Sequence, residues 1–123
     1  MIMKSSKAII IISLLLSVIN ITYAQESHNN KSLSHFYLSK AIEAENLHKI
    51  PSAIKWFRKA LEYIKDEELR MKIYFHMADC YYKLNNYIAA LNLYKEGLKN
   101  PKAEEYLISH PKTFLNLANV YFN

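Results

Sequence analysis

The chain repeats itself at a spacing of 37 residues, and this limits its fold more than any other feature. Tyr37, Ala41, Leu47, Ile50, Ala53, Ile54, Phe57, Ala60 and Leu61 each meet a residue of the same size class 37 positions on. Those counterparts are Tyr74, Ala78, Leu84, Tyr87, Ala90, Leu91, Tyr94, Gly97 and Leu98. A third copy opens with Phe114, Ala118 and Tyr121. A unit this short cannot bury its own apolar face, so neighbouring units must cover one another, and the period predicts a solenoid.

The spacing inside each copy predicts helices. Tyr74, Met77, Ala78 and Tyr81 fall at i, i+3, i+4 and i+7 and form one stripe, and Ala90, Leu91, Tyr94, Gly97 and Leu98 form a second. Helices are expected over 35–47, 51–64, 69–84, 87–99, 103–109 and 111–121. Pro51 and Pro111 suit a first helical turn, Asp66, Glu67 and Glu68 suit a helix start, and Asn85-Asn86 suits a turn. No stretch alternates with a period of two, and the chain has a single glycine. The expected fold is all-α: antiparallel helix pairs in two full repeats and a half. The small residues Ala41, Ala53, Ala60, Ala78, Ala90, Gly97 and Ala118 let helix axes approach, while Phe57, Tyr74, Tyr81, Tyr94 and Tyr121 fill the gaps beside them.

Residues 1–24 stand outside the repeat. Lys4 and Lys7 form a basic start, the run 8–19 is apolar apart from Ser13 and Ser17, and Thr22-Tyr23-Ala24 suits cleavage before Gln25. A signal peptide over 1–24, a flexible leader over 25–33 and a repeat domain over 34–123 are expected. The protein is then exported, to a periplasm or the exterior. The alternative is an uncleaved membrane anchor, although the apolar run is shorter than the ~20 residues that span a bilayer. Cleavage leaves 99 of 123 residues, enough for one small domain, and lowers the net charge from +5 to +3. Such mild basicity without a Lys/Arg face argues against nucleic-acid binding. Cys80 is the only cysteine, so it is either buried or paired between chains.

Tyr74, Met77, Ala78 and Tyr81, followed by Ala90, Tyr94 and Gly97 with Pro101 beyond, resemble the tetratricopeptide repeat family. The first copy matches at Tyr37, Ala41, Ala53, Phe57 and Ala60 but departs at Lys40 and Ala44, and the third offers Phe114, Leu117, Ala118 and Tyr121. The copies exceed the family's usual length, so residues near 68–70 and 103–110 must extend helices or loops. The resemblance implies a concave groove for a peptide or a partner's helix. Groove positions carried over residue by residue are Leu38, Ile42, Glu45, Lys72, Phe75, Asp79, Tyr82, Lys83, Lys112, Leu115, Asn119 and Phe122. Among them Leu38, Ile42, Phe75, Asp79, Tyr82, Lys83, Asn119 and Phe122 are the expected partner-binding residues. Phe75, Tyr82 and Phe122 are the candidate aromatic anchors; alternatively Phe75 and Tyr82 pack beneath extended loops. The family's carboxylate clamp is not matched, because Leu38, Ile42, Phe75 and Asp79 occupy positions that need lysine or asparagine.

Little in the sequence points to chemistry. His76, Asp79 and Cys80 share one helical face and could offer nitrogen, oxygen and sulfur to a metal, but no fourth ligand is evident. A phosphate-binding glycine loop is absent. No catalysis, cofactor, metal or small-molecule substrate is expected; the expected partner is a protein or peptide. The helix over 111–121 carries Leu115, Leu117, Val120, Tyr121 and Phe122, which need a cover. Either the chain continues as a longer array or a second molecule covers that helix by self-association. Exported relatives of such repeats often lead into membrane-bound bacterial signalling receptors, so a sensing fragment is the alternative function.

Overall fold

The structure, a computed structural model, describes residues 2–122, with side chains from Ser6 onward. Lys4, one of the two lysines of the basic start, and Asn123 lie outside the described side chains. The described residues form six helices and no strand: α1 (Ile2–Asn46), α2 (Ile50–Leu61), α3 (Glu67–Lys83), α4 (Tyr87–Leu98), α5 (Ala103–Ser109) and α6 (Pro111–Phe122). The protein is all-α. It divides into two units, Met1–Ser32 and Leu33–Asn123.

The first unit is the N-terminal part of α1. Its described side chains from Ser6 to Asn29 are all exposed. By length and composition the helix could cross a membrane, with a mean hydropathy of 2.0 over its most apolar window, and a signal sequence meets the same criterion. Polar residues inside the apolar run satisfy themselves locally. Ser17 Oγ donates to the Ser13 carbonyl at 2.9 Å, and Thr22 Oγ1 donates to the Val18 carbonyl at 2.7 Å. No hydroxyl proton of that pair then needs water, which suits an apolar surround. Residues 25–33, expected as a flexible leader, are helical. The physical reason is visible in hindsight: neither glycine nor proline occurs before Pro51, so nothing stops a nucleated helix from propagating.

The second unit contains the repeats. Pro51 stands in the first turn of α2, where its missing N–H costs nothing. Asp66 caps α3 by accepting from the backbone N–H groups of Glu68 and Leu69, and Asn86 caps α4 by accepting from Ala89. His48 and Asn85 take positive φ values of 57° and 59° and turn the chain between helices. The Asn85 turn was expected; the His48 turn was not.

α3 is the central element, because apolar residues line two of its faces. Ile73, Met77 and Cys80 join Ala41, Ala44, Ala53, Ile54, Phe57 and Ala60 in a core shared with α1 and α2. Met71, Phe75 and Ala78 join Ala90, Tyr94, Ala103, Tyr106 and Leu107 in a second core shared with α4 and α5. A helix apolar on two sides must be covered on both. Leu117 and Val120 of α6 pack against the second core.

Candidate partner-binding surface

The expected groove positions lie on the C-terminal part of α1 and on α3 and α6. The structure uses many of them to tie these helices together. On α1, Glu45 Oε2 lies 3.0 Å from Nδ1 of His76, and its Oε1 lies 3.7 Å from Nζ of Lys83. A carboxylate only accepts, so the proton of the first pair sits on Nδ1. Burial alone would raise the Glu45 carboxyl. The hydrogen bond and charge of His76, with Lys83, outweigh it and hold this carboxyl below the usual glutamate range.

Asp79 joins three helices. Its Oδ1 accepts from the Tyr94 hydroxyl at 2.6 Å and from Asn116 Nδ2 at 3.1 Å, while Oδ2 accepts from Thr113 Oγ1 at 2.6 Å. Thr113 and Asn116 are the buried residues of α6. Burial and then the Asp79 carboxylate push the Tyr94 phenol well above its ordinary value, so it remains a proton donor. Farther along, Asn119 Nδ2 donates to the Tyr82 hydroxyl at 3.1 Å, and the Tyr82 ring packs on Tyr87 with 5.4 Å between centroids.

Several expectations are corrected here. Phe75 is fully buried and offers nothing to a partner. Its ring lies against α4, where a Cβ on Gly97 would stand only 2.9 Å away, and against Tyr106 of α5. The helix expected over 103–109 forms as α5 and covers it. Asp79 spends its acceptors on Tyr94, Thr113 and Asn116 rather than on a ligand. Tyr82 and Asn119 are half-buried and bond to each other. Leu38 is half-buried against the first core. Among the expected partner-binding residues, Ile42 (41% exposed), Lys83 and Phe122 (91% exposed) remain open.

The positions expected in the repeat core also divide. Ala41, Ala53, Phe57, Ala60, Ala78, Ala90, Tyr94 and Gly97 are buried. Tyr74, Tyr81 and Ala118 are half-buried, and the Tyr81 hydroxyl meets the Arg58 guanidinium. Tyr121 is 44% exposed, because α6 packs through Thr113, Asn116, Leu117 and Val120 and turns Tyr121 outward.

The metal-binding trio does not assemble. His76 turns to Glu45 and Asp79 turns to its three donors. Cys80 is buried, its thiol 4.0 Å from Glu45 Oε1. Burial and the nearby Glu45 charge push that thiol up to about 12. Among the described residues no group of three His, Cys, Asp or Glu is placed to hold a metal ion.

A feature that the periodicity did not reveal lies at the α4–α5–α6 junction. Leu98, Ala103, Leu107, Ile108, Pro111 and Phe114 help to line a groove of about 730 Å³. Ile108 is 75% exposed and Phe114 is 55% exposed. Its residues come from three helices separated by two short turns, so no single helical period contains them. The only sequence signal is the apolar character of Leu98 and Ile108 beside the stop at Pro101 and the start at Pro111.

Comparison of the chain with protein-family models, with curated proteins and with solved structures finds no match.

Proposed function

We propose that the second unit is a tetratricopeptide-like solenoid that binds a protein or peptide partner, and that residues 1–24 direct it out of the cytoplasm. One observation carries the reading. Two successive helix pairs bury the small members of the repeated stripe together with Phe57 and Tyr94, whereas the third copy leaves its aromatic members Phe114 and Tyr121 outward. A fold built by covering one repeated face with another is disposed to accept a further helix or strand of chain. Of the positions expected from the resemblance, Ile42 and Phe122 are exposed in place of the anchors Phe75 and Tyr82, with Lys83 exposed beside its partner Glu45. Neither a cofactor nor a catalytic step enters this reading.

Site-specific photo-crosslinking in the native cell tests it. A crosslinker replacing Ile42 or Phe122 is expected to trap one discrete protein, and a crosslinker at Ser52 on α2 is expected not to. Equal, diffuse labelling from all three positions would overturn the reading.

The membrane-anchored sensing fragment remains the second reading. It is favoured by the long apolar N-terminal helix, which continues without interruption to Asn46. The intact mass of the protein from its source decides between them at one point. A mass that lacks residues 1–24 means cleavage, and a mass that includes them means an anchor.

A further inference from the structure

Gln25 follows Thr22-Tyr23-Ala24 directly, and the structure places it inside α1 with its side chain exposed. We infer that Gln25 is a modification site: once it becomes the mature N-terminus, its own amine closes on its side-chain amide to form pyroglutamate. The inference rests on the reading of residues 1–24 as a cleaved signal and adds the chemistry of the end that cleavage creates.

The step balances without a co-reactant. The α-amine nitrogen attacks Cδ, the new N–Cδ bond closes a five-membered lactam, and the Cδ–Nε2 bond breaks. Nε2 leaves as ammonia with a proton from the amine, and nothing is oxidised or reduced. Cleavage is what frees the nucleophile. In the continuous helix the Gln25 nitrogen is an amide whose N–H points toward the Ile21 carbonyl four residues back. Removing residues 1–24 turns it into an amine among the helix-start groups that lack intrahelical acceptors. Near neutral pH part of an α-amine population is unprotonated and nucleophilic. Every described side chain from Ser6 to Asn29 is exposed, so no packing holds the Gln25 side chain away from its amine.

The helix found over residues 25–33 favours the product. A flexible leader would be indifferent to the charge on its first residue. A helix is not, because the Gln25 ammonium would sit at the positive end of the dipole, and closure removes that charge. The lactam ring contains the backbone nitrogen, as the proline ring does, and a ring of that kind is tolerated best at a helix start. Glu26, next in the chain, adds a favourable negative charge to the new first turn.

Protein purified from its native source and warmed at neutral pH tests this. After tryptic digestion, the peptide of residues 25–31 is expected to be lighter than its sequence by one ammonia, and the intact chain is expected to resist Edman degradation. Gln25→Ser should restore both the full peptide mass and the degradation. Gln25 lies in the first unit, outside both cores, so this variant leaves the repeats folded. A 25–31 peptide that keeps its ammonia overturns the inference while cleavage after Ala24 stands. An ammonia loss that persists in Gln25→Ser also overturns it, since Asn29 or Asn30 would then be the source. An N-terminus at any other residue overturns it too, and a chain that retains residues 1–24 overturns the cleavage reading with it.

Discussion

The rings of Phe75 and Tyr106 lie nearly parallel, 5.2 Å apart at their centroids and 7° apart in plane. This contact places α5 over a residue that the family resemblance assigns to an open groove. Burial pushes the Tyr106 phenol up to about 12, as expected for a ring covered on one side by Phe75 and on the other by His110.

Gly97→Ala tests the tightest approach. The added Cβ would stand 2.9 Å from two carbons of the Phe75 ring. Alanine gains about 1 kcal/mol of helix propensity, but overpacking against a buried ring costs ~1–3 kcal/mol. A net loss of about 1 kcal/mol in urea denaturation is expected. Phe75→Leu in the same chain should remove most of that loss, which a double-mutant cycle would read as coupling between the two sites.

Asp79→Ala would leave Tyr94, Thr113 and Asn116 without their acceptor. Loss of roughly 2–3 kcal/mol is expected from the stranded donors. Tyr94→Phe, which removes one donor and strands none, should cost closer to ~1 kcal/mol. Equal costs for the two variants would mean that the carboxylate is not shared in solution.

The Glu45 carboxyl sets an acid dependence whose sign is fixed. Its folded value lies below the ordinary 4.5, so its contribution is fully present above about that pH and fades as pH falls through the folded value. Glu45→Gln should therefore be less stable than the parent near neutrality, and the gap should close in acid. Parallel stability curves from pH 7 to pH 3 would contradict this assignment.

Cys80 should be inert in the folded protein. It is fully buried and its thiol is raised to about 12, so neither access nor thiolate is available near neutral pH. A disulfide-exchange reagent at pH 8 is expected to label it only as fast as the protein unfolds, with complete labelling in urea. Rapid labelling of the native chain would place it at the surface.

The helix limits were largely legible in the sequence, because local chemistry sets them. Pro51, Asp66, Asn86 and Pro111 mark starts that depend on a few neighbouring residues. The left-handed Asn85 follows from its side chain and from its place in an Asn-Asn pair, whereas His48, a residue type also enriched at positive φ, stands without a second turn residue to announce it. Phe75 and Asp79 differ from expectation for one reason: each is decided by partners 15 to 37 residues away, on helices whose relative placement no period encodes. The helix over residues 25–33 was missed because polar composition suggested a leader, although the long absence of glycine and proline pointed to continuity.

Asp79 also gives the chain an order of completion. Until α6 docks, the α3–α4 hairpin can offer that carboxylate only the Tyr94 hydroxyl, and water must serve the rest. The arrival of Thr113 and Asn116 exchanges that water for protein donors. Two residues of the last helix thus act as a closing clasp, turning a pair of helices that is still wet on one side into a three-helix joint.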